Sequence, residues 1–188
     1  NYMKRHNLLY LIIYISFITP CALQAQESFT DQYNVSYITM DDGLPHNFID
    51  DIYKDTRGFL WISTAGGGLS RYDGYEFIHF NPNTSHCKLK SNFILNVYED
   101  TFQRLWIVSE GGTDIIDLLT LQPIIPNDPK GLLTILLNQP AYTVIRDSQN
   151  SIWLQCGNAL HRITFNTKGD VESLSTLKLP QLNEPDLV

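Results

Sequence analysis

Short apolar runs alternate with clusters of turn residues from about residue 42 to residue 165. The first runs are rich in Ile, Tyr and Trp, and the turns between them contain Gly and Asp, among them the hairpin signal Asp73-Gly74. This pattern is typical of β-strands joined by tight turns. It predicts four successive strands at residues 49–55, 60–64, 69–72 and 75–80.

One part of this pattern occurs three times. DTRGFLWIST begins at Asp55, DTFQRLWIVS at Asp100 and DSQNSIWLQC at Asp147. The three tryptophans of the chain occupy the same place in each copy, at spacings of 45 and 47 residues: Trp61, Trp106 and Trp153. A period of roughly 40 to 50 residues with four strands per unit is typical of propeller blades.

The copies differ at the residue that ends the first hairpin turn, which is Gly58, Gln103 or Asn150. Gly and Asn accept a positive φ at low cost, and Gln does not. The second hairpin is therefore expected to use another turn or to carry strain.

The segment between the second and third units is longer than the one between the first and second. Residues 119–140 contain four prolines around the apolar run Leu132 to Leu137. Proline excludes a central strand at its own position, so we interpret this apolar run as an outer strand. Residues 171–179 are predicted to form the last strand of the third unit.

The sequence IYKDTRGFLWISTAGGGLSRYDGYEFIHF, preceded by DGLPHNFI at Asp42 to Ile49, resembles the repeat of the two-component regulator propeller family. The resemblance covers Tyr33 to about Phe165. It implies an all-β fold, here a partial β-propeller of about three four-stranded blades after an N-terminal signal peptide. Similar proteins of gut Bacteroides join periplasmic propellers to a membrane span, a histidine kinase and often a response regulator, and they sense polysaccharide breakdown products. Those other parts have no counterpart in this sequence.

The repeats and the segments that flank them predict the domain limits. In chain order these are a signal peptide at 1–25, a leader with a seam strand at 26–41, blade 1 at 42–88, blade 2 at 89–138, blade 3 at 139–180 and a linker toward a further blade at 181–188. Three blades do not close a ring, since propellers have roughly four to eight. We therefore expect the chain to be the amino-terminal part of a longer protein; the alternative is a short protein that self-associates through its open edges.

Lys4 and Arg5 precede an apolar run at residues 8–18, and small residues follow as far as Ala25. This is the layout of a secretory signal. As a helix, the run reaches only about 16 Å against roughly 30 Å of hydrocarbon, which favours a cleaved signal over an uncleaved anchor. Residues 33–40 alternate enough to form a strand that completes the last blade of a closed ring.

The formal net charge is −7, and it becomes −9 without residues 1–25, which carry two positive charges and no negative ones. Nucleic-acid binding needs clustered Lys and Arg, so this composition argues against a nucleic-acid partner. Solubility is the simplest interpretation of the acidity, with steering of a cationic ligand as the alternative.

The repeated aromatic and acidic residues are better explained by the fold than by chemistry. The tryptophans are predicted to pack between blades, although aromatic faces also stack on sugars. Asp55, Asp100 and Asp147 recur at strand ends, where a carboxylate binds the N–H groups of the following turn. Catalytic carboxylates are normally single, so we predict no catalytic role for them.

Other residues with chemical potential show no site pattern. Four histidines lack the spacing of metal ligands: His46, His79, His86 and His161. Gly66, Gly67 and Gly68 lie between two predicted strands, so they form a turn and not a phosphate cradle. Cys87 and Cys156 lie at non-equivalent positions, and whether they form a disulfide is left open. The sequence therefore predicts no catalytic, metal or cofactor site, and its ligand-binding residues are unknown.

Together with the resemblance, these observations predict a periplasmic ligand-sensing propeller segment of a two-component signalling protein, not an enzyme. The expected ligand is a glycan or its breakdown products, and the expected partners are the rest of the propeller and a second copy. One alternative is a non-catalytic scaffold or a gene remnant without signalling output. A less favoured alternative is a propeller-type lyase, which needs a cluster of histidines and acids. Fold alone does not choose among them.

Overall fold

The structure, a computed structural model, describes residues 36–179. Within this range the chain forms eleven strands and one short α-helix, α1, at Leu132–Leu137. The strands are β1 (Ile49–Lys54), β2 (Leu60–Thr64), β3 (Gly68–Tyr72), β4 (Phe77–Phe80), β5 (Ile94–Glu99), β6 (Arg104–Ser109), β7 (Gly112–Asp117), β8 (Ala141–Arg146), β9 (Ile152–Cys156), β10 (Ala159–Phe165) and β11 (Val171–Lys178). The predicted all-β fold is confirmed. The predicted signal peptide at 1–25, most of the leader and the linker at 181–188 lie outside the described residues.

The strands form three antiparallel sheets, one for each repeat. The first has the order β1-β2-β3-β4, the second β5-β6-β7, and the third β8-β9-β10-β11. In each sheet the tryptophan lies on the second strand, so that Trp61 pairs with Tyr53 on one side and with Arg71 on the other. The first strands of consecutive sheets lie next to each other, so that β5 contacts both β1 and β8.

The outer edge of the second sheet differs from the prediction. The run Leu132–Leu137 forms α1 and not an outer strand. Its buried residues are Leu133, Leu136 and Leu137, which have the spacing of one helix face. Asp128 Oδ2 accepts a hydrogen bond from Leu133 N at 2.6 Å near the start of this helix. The interpretation as a strand was wrong, because an apolar run of this length fits the period of a helix as well as that of a strand.

A proline-containing segment covers the edge of β7 where an outer strand was expected. Asp117 N donates to Gln122 O at 3.0 Å, and Ile124 N donates to Ile115 O at 2.9 Å. Pro123 lies between these two bonds and forms an isolated bridge with Ile116. Proline has no N–H, so the pairing remains short.

The described part of the predicted seam strand is not a strand. Residues 36–39 have no regular structure, and Met40–Asp42 form a 3-10 helix. The side chain of Thr39 accepts from Asp41 N while Asp42 Oδ2 accepts from Thr39 N, and Gly43 ends the turn at φ 104°. A Thr and an Asp three residues apart cap a helix start, and this local chemistry overrides the weak alternation.

The hydrophobic core consists of two clusters, each between consecutive sheets. Trp61, Leu69 and Phe80 of the first sheet pack against strands β5, β6 and β7 of the second. Trp106 packs in the same way between the second and third sheets. Trp61 and Trp106 are fully buried, which confirms that they pack between blades. Trp153 is only partly buried, because its face of the third sheet lies beyond both clusters.

Hydrogen bonds also join the first strands of consecutive sheets. Asp51 Oδ2 accepts from Val97 N at 3.1 Å, and Asn96 Oδ1 accepts from Val144 N at 2.9 Å. Asp51 and Asn96 are equivalent positions of the repeat, as are Val97 and Val144. A side chain at the same repeat position therefore binds the next blade at both junctions.

The three hairpin turns keep one geometry despite their different residues. Gly58, Gln103 and Asn150 all have positive φ, at 96°, 57° and 63°. The second hairpin thus uses the same turn and carries the strain. Leu118 N donates to Gln103 O at 2.9 Å, which helps to hold the residue in this conformation.

Replacing Gln103 by Gly is expected to stabilise the protein. A non-glycine residue in the left-handed region costs about 1–2 kcal/mol, and part of this gain is offset by the greater chain entropy of Gly. The free energy of unfolding should rise by about 0.5–1 kcal/mol in urea denaturation. Gly58→Ala is the matched control, because a Cβ there meets nothing within 4 Å and only the backbone strain changes. It should lower the stability, and a loss for Gln103→Gly would contradict the assignment of strain.

The two cysteines of the described range are free and buried in different clusters. Burial raises the pKa of each thiol to about 11, and the charge of Asp114 contributes at Cys87. Only about one thiol in a thousand is then the reactive thiolate at pH 8.

Iodoacetamide at pH 8 is therefore expected to leave Cys87 and Cys156 unlabelled in the native protein. Unfolding in guanidinium without a reductant should add one adduct at each, as mapped by peptide mass spectrometry. Failure of both residues to react after unfolding would show that they form a disulfide.

Candidate functional site

The recurring aspartates hold the hairpins that follow them, as predicted. Asp55 Oδ1 accepts from Arg57 N at 3.0 Å and from Phe59 N at 2.9 Å. Asp100 and Asp147 bind the N–H groups of their own turns at distances of 2.8–3.1 Å. These oxygens are used by the backbone in all three repeats.

The second oxygen of each carboxylate binds the tryptophan of its own repeat. The Oδ2 atom accepts the indole N–H at 2.8 Å in the first repeat and at 2.9 Å in the other two. The sequence analysis did not identify this bond. Its signal is the constant spacing of six residues between Asp and Trp in the three copies. We call this arrangement the Asp–Trp lock.

An arginine accompanies the lock in the second and third repeats. Arg104 Nε lies 2.6 Å from Asp100 Oδ2, and both side chains are almost fully buried. Arg162 lies 3.5 Å from Asp147 Oδ2, and this pair is about one quarter to one third exposed. The indole N–H of Trp153 is the main cause that lowers the pKa of Asp147 below its ordinary value.

The histidines are spread over the structure and each has a local contact. His79 Nδ1 and His161 Nδ1 each lie 2.9 Å from a hydroxyl, and burial lowers the pKa of both. His46 Nδ1 accepts from Phe48 N, and His86 packs edge-on against Phe80. No three His, Cys, Asp or Glu side chains converge as metal ligands anywhere in residues 36–179.

The glycine run lies in the turn between β2 and β3, where the chain makes close approaches. A Cβ at Gly67 would lie 2.2 Å from Thr64 Oγ1, and one at Gly68 would lie 2.4 Å from Phe80 O. Gly68 N donates to Asn92 O at 3.0 Å, which links the turn to the next repeat. The run therefore serves packing.

A groove of about 380 Å³ lies where the hairpin turns of the second and third sheets meet. Phe102 and Phe165 form its apolar part. The rest of its lining is polar and consists of Thr101, Gln149, Asn150, Ser151, Arg162, Thr164, Asn166, Thr167 and Glu172. Hydroxyl, amide and charged groups beside two aromatic rings suit a polar organic ligand. This groove is the candidate functional site, and none of its residues was predicted as a binding residue.

The buried Arg104 contacts both aromatic residues of the groove. The guanidinium lies 4.8 Å from the ring centre of Phe102 and 4.5 Å from that of Phe165. Its Nη1 donates to Gly169 O at 2.7 Å. These contacts connect the turn of the second sheet to the β10–β11 turn of the third.

Arg162 is positioned from several sides at the edge of the groove. Its Nε donates to Ser151 Oγ at 3.1 Å, its Nη2 donates to Gln149 Oε1, and Asp147 lies beside it. The guanidinium also lies 5.6 Å from the ring centre of Trp153. The third Asp–Trp lock thus orients a cation toward the site.

A smaller cavity of about 170 Å³ lies around Lys90 and Asp114 near α1. Lys90 Nζ donates to Thr113 O at 2.8 Å and to Leu137 O at 2.7 Å. Burial lowers the pKa of Lys90 and raises that of Asp114. Lys90 thus joins α1 to β7, which gives it a structural role.

Loss of the carboxylate from a buried lock should destabilise the protein strongly. In Asp55→Ala, two backbone N–H groups and the indole N–H lose their acceptor, and we expect a loss of about 3 kcal/mol in the free energy of unfolding. Asp147→Ala removes the same bonds at a more exposed lock, so its loss should be smaller. Chemical denaturation of both variants tests this, and equal losses would show that burial does not set the strength of the lock.

Comparison with known proteins gives a family match for one short segment and a fold for the described sheets. Residues 43–66 match the model of the two-component regulator propeller family. The chain is similar to the extracellular domain assigned to the hybrid two-component system BT3049 of B. thetaiotaomicron, with 20% identity and a TM-score of 0.60 over 76% of this chain and 20% of that chain. No curated protein matches.

A second solved structure is the extracellular domain assigned to the system BT4673 of the same organism. It is 26% identical with a TM-score of 0.52, over 72% of this chain and 19% of that chain. The present chain thus spans about a fifth of the length of either domain. In residues 36–179 no helix has both the length and the apolar character needed to cross a membrane. One segment of the chain, residues 43–66, thus matches the two-component regulator propeller family, and the fold is similar to that of extracellular domains of B. thetaiotaomicron two-component systems.

Proposed function

We propose that this chain is a ligand-sensing segment of a periplasmic receptor in two-component signalling, and that its ligand is a glycan or a glycan breakdown product. The observation that carries the proposal is the family match at residues 43–66, in a repeat that recurs in the next two sheets. The similar extracellular domains belong to signalling systems, which supports an output through the rest of the protein.

The groove supports a saccharide as the ligand class. Sugars present many hydroxyl groups, and the groove offers hydroxyls and amides that both donate and accept hydrogen bonds. Phe102 and Phe165 supply apolar surface for the C–H faces of a sugar ring. The formal charge of −7 disfavours polyanions such as nucleic acids as partners.

Binding is favoured over catalysis because the recurring acids have structural partners. Asp55, Asp100 and Asp147 each bind a hairpin and an indole, so none of these three carboxylates is free for acid–base work. A ligand that contacts both the second and the third sheet would favour one arrangement of these blades over another. Signalling then needs only a difference in affinity between two arrangements of the receptor.

A thermal-shift screen on the whole extracellular region of the receptor tests this proposal. A saccharide at 100 times its dissociation constant stabilises the folded state by about 2.7 kcal/mol, so one class of oligosaccharide should raise the melting temperature by a few degrees. Single-stranded DNA is the control polymer and should give no shift. Mass spectrometry of the incubated sugars should show no cleavage.

Two outcomes would contradict the proposal in different ways. The absence of a shift with every oligosaccharide would favour a scaffold without a glycan ligand. Cleavage of a bound sugar would favour an enzyme of the lyase or hydrolase type.

A further inference from the structure

The groove lies at one of two equivalent junctions, and at the other junction a carboxylate occupies the same turn. Between the first and second sheets, Thr56 N donates to Glu99 Oε2 at 2.7 Å, and Thr56 Oγ1 donates to Glu99 Oε1 at 2.6 Å. Arg57 also crosses this junction and donates to Leu118 O. The first junction is therefore closed by side chains of the protein itself.

The second junction has different residues at the same repeat positions. Thr101 is equivalent to Thr56, but Arg146 stands where the first junction has Glu99, and Phe102 stands where it has Arg57. The N and Oγ1 atoms of Thr101 donate no hydrogen bond to any group of residues 36–179. Thr101 and Phe102 line the groove instead. A pair of donors that holds a carboxylate at the first junction thus faces a ligand-sized groove at the second.

We infer that the groove binds the carboxylate of an acidic sugar, a uronate, through the N and Oγ1 atoms of Thr101. The inference rests on the proposed function for the saccharide, while the protein's own Thr56–Glu99 pair supplies the template for the acid. Two charge-assisted bonds from one threonine match the two oxygens of a carboxylate. The guanidinium of Arg162 lines the same groove and attracts an anionic ligand, while its ion pair with Asp147 offsets part of its charge.

The remaining lining suits the neutral part of such a sugar. The groove volume of about 380 Å³ lies within the roughly 300–1,000 Å³ of small-molecule sites, and it has room for a mono- or disaccharide. Asn150 and Thr167 offer an amide and a hydroxyl for ring hydroxyl groups. Glu172 is an exposed carboxylate that accepts hydrogen bonds from hydroxyls, and its charge opposes the uronate and limits the affinity.

Calorimetric titration of the whole extracellular region with galacturonate, digalacturonate and their neutral counterparts galactose and galactobiose tests the inference. The uronates should bind at least about tenfold more tightly than the neutral sugars. Thr101→Val should weaken this preference severalfold, because it deletes the hydroxyl donor and leaves only the backbone N–H. Thr101→Ser keeps the hydroxyl and is the matched control, with affinity close to that of the native protein.

Glu172→Gln should raise the affinity for uronates severalfold, because it removes a negative charge from the groove.

Arg146→Glu provides a second, independent variant. It restores at the second junction the carboxylate that Glu99 supplies at the first, so Thr101 would bind the protein's own side chain. Uronate binding should then fall by at least about tenfold while the melting temperature is kept or raised. If this variant fails to fold, the comparison of Thr101→Val with Thr101→Ser still decides.

The possible results separate this inference from the proposed function. Tight binding of a neutral glycan that Thr101→Val and Arg146→Glu leave unchanged would overturn the uronate site and leave glycan sensing intact. Uronate binding that is equal in Thr101→Val and the native protein would also overturn the site. If no saccharide binds to the native protein, both the inference and the proposed function fail.

Discussion

The bond between a carboxylate and an indole in each repeat is the interaction on which the rest of the structure depends. One aspartate joins three parts of its sheet: the end of the first strand, the following turn and the tryptophan on the second strand. The tryptophan is thereby held with its ring on the face that packs against the next sheet. A buried carboxylate without these donors would be costly, so the lock forms only when the whole hairpin is folded. Local structure and blade packing are thus coupled within each repeat.

Because the lock fixes the hairpins, other positions of the repeat are free to diverge. The last residue of the first strand is Lys54, Glu99 or Arg146 in the three units, and Glu99 lies beside the turn of the preceding blade. Glu99 closes its junction by binding Thr56, whereas an arginine at the equivalent position leaves Thr101 in a groove. Together with the exchange of Arg57 for Phe102, this change of charge separates a sealed junction from an open one. Repeat proteins can acquire binding sites in this way without a change of fold.

The sequence was sufficient to predict the strands, because turn chemistry and the repeat of the tryptophan strand mark them independently. It was not sufficient for α1, since Leu132–Leu137 is too short for its period to distinguish helix from strand. The prediction of a strand that ends at residue 40 failed for a related reason. The capping box of Thr39 and Asp42 outweighed a weak alternation of apolar and polar residues. The lock could have been found from the constant Asp-to-Trp spacing. The groove could not, because it depends on which residue of one repeat faces which residue of the next.

The position of the groove has a consequence for how a signal could leave it. Its lining comes from two sheets, and those sheets already share the Asn96–Val144 bond between their first strands and the contacts of Arg104 between their turns. A ligand there adds a third link, and it stabilises whichever arrangement of the two blades gives it the better contacts. Packed cores switch between discrete arrangements more readily than they deform. A small rotation of one blade would therefore displace the next blade, because the two share a packed core. A junction site therefore suits a sensor better than a site on a single blade would.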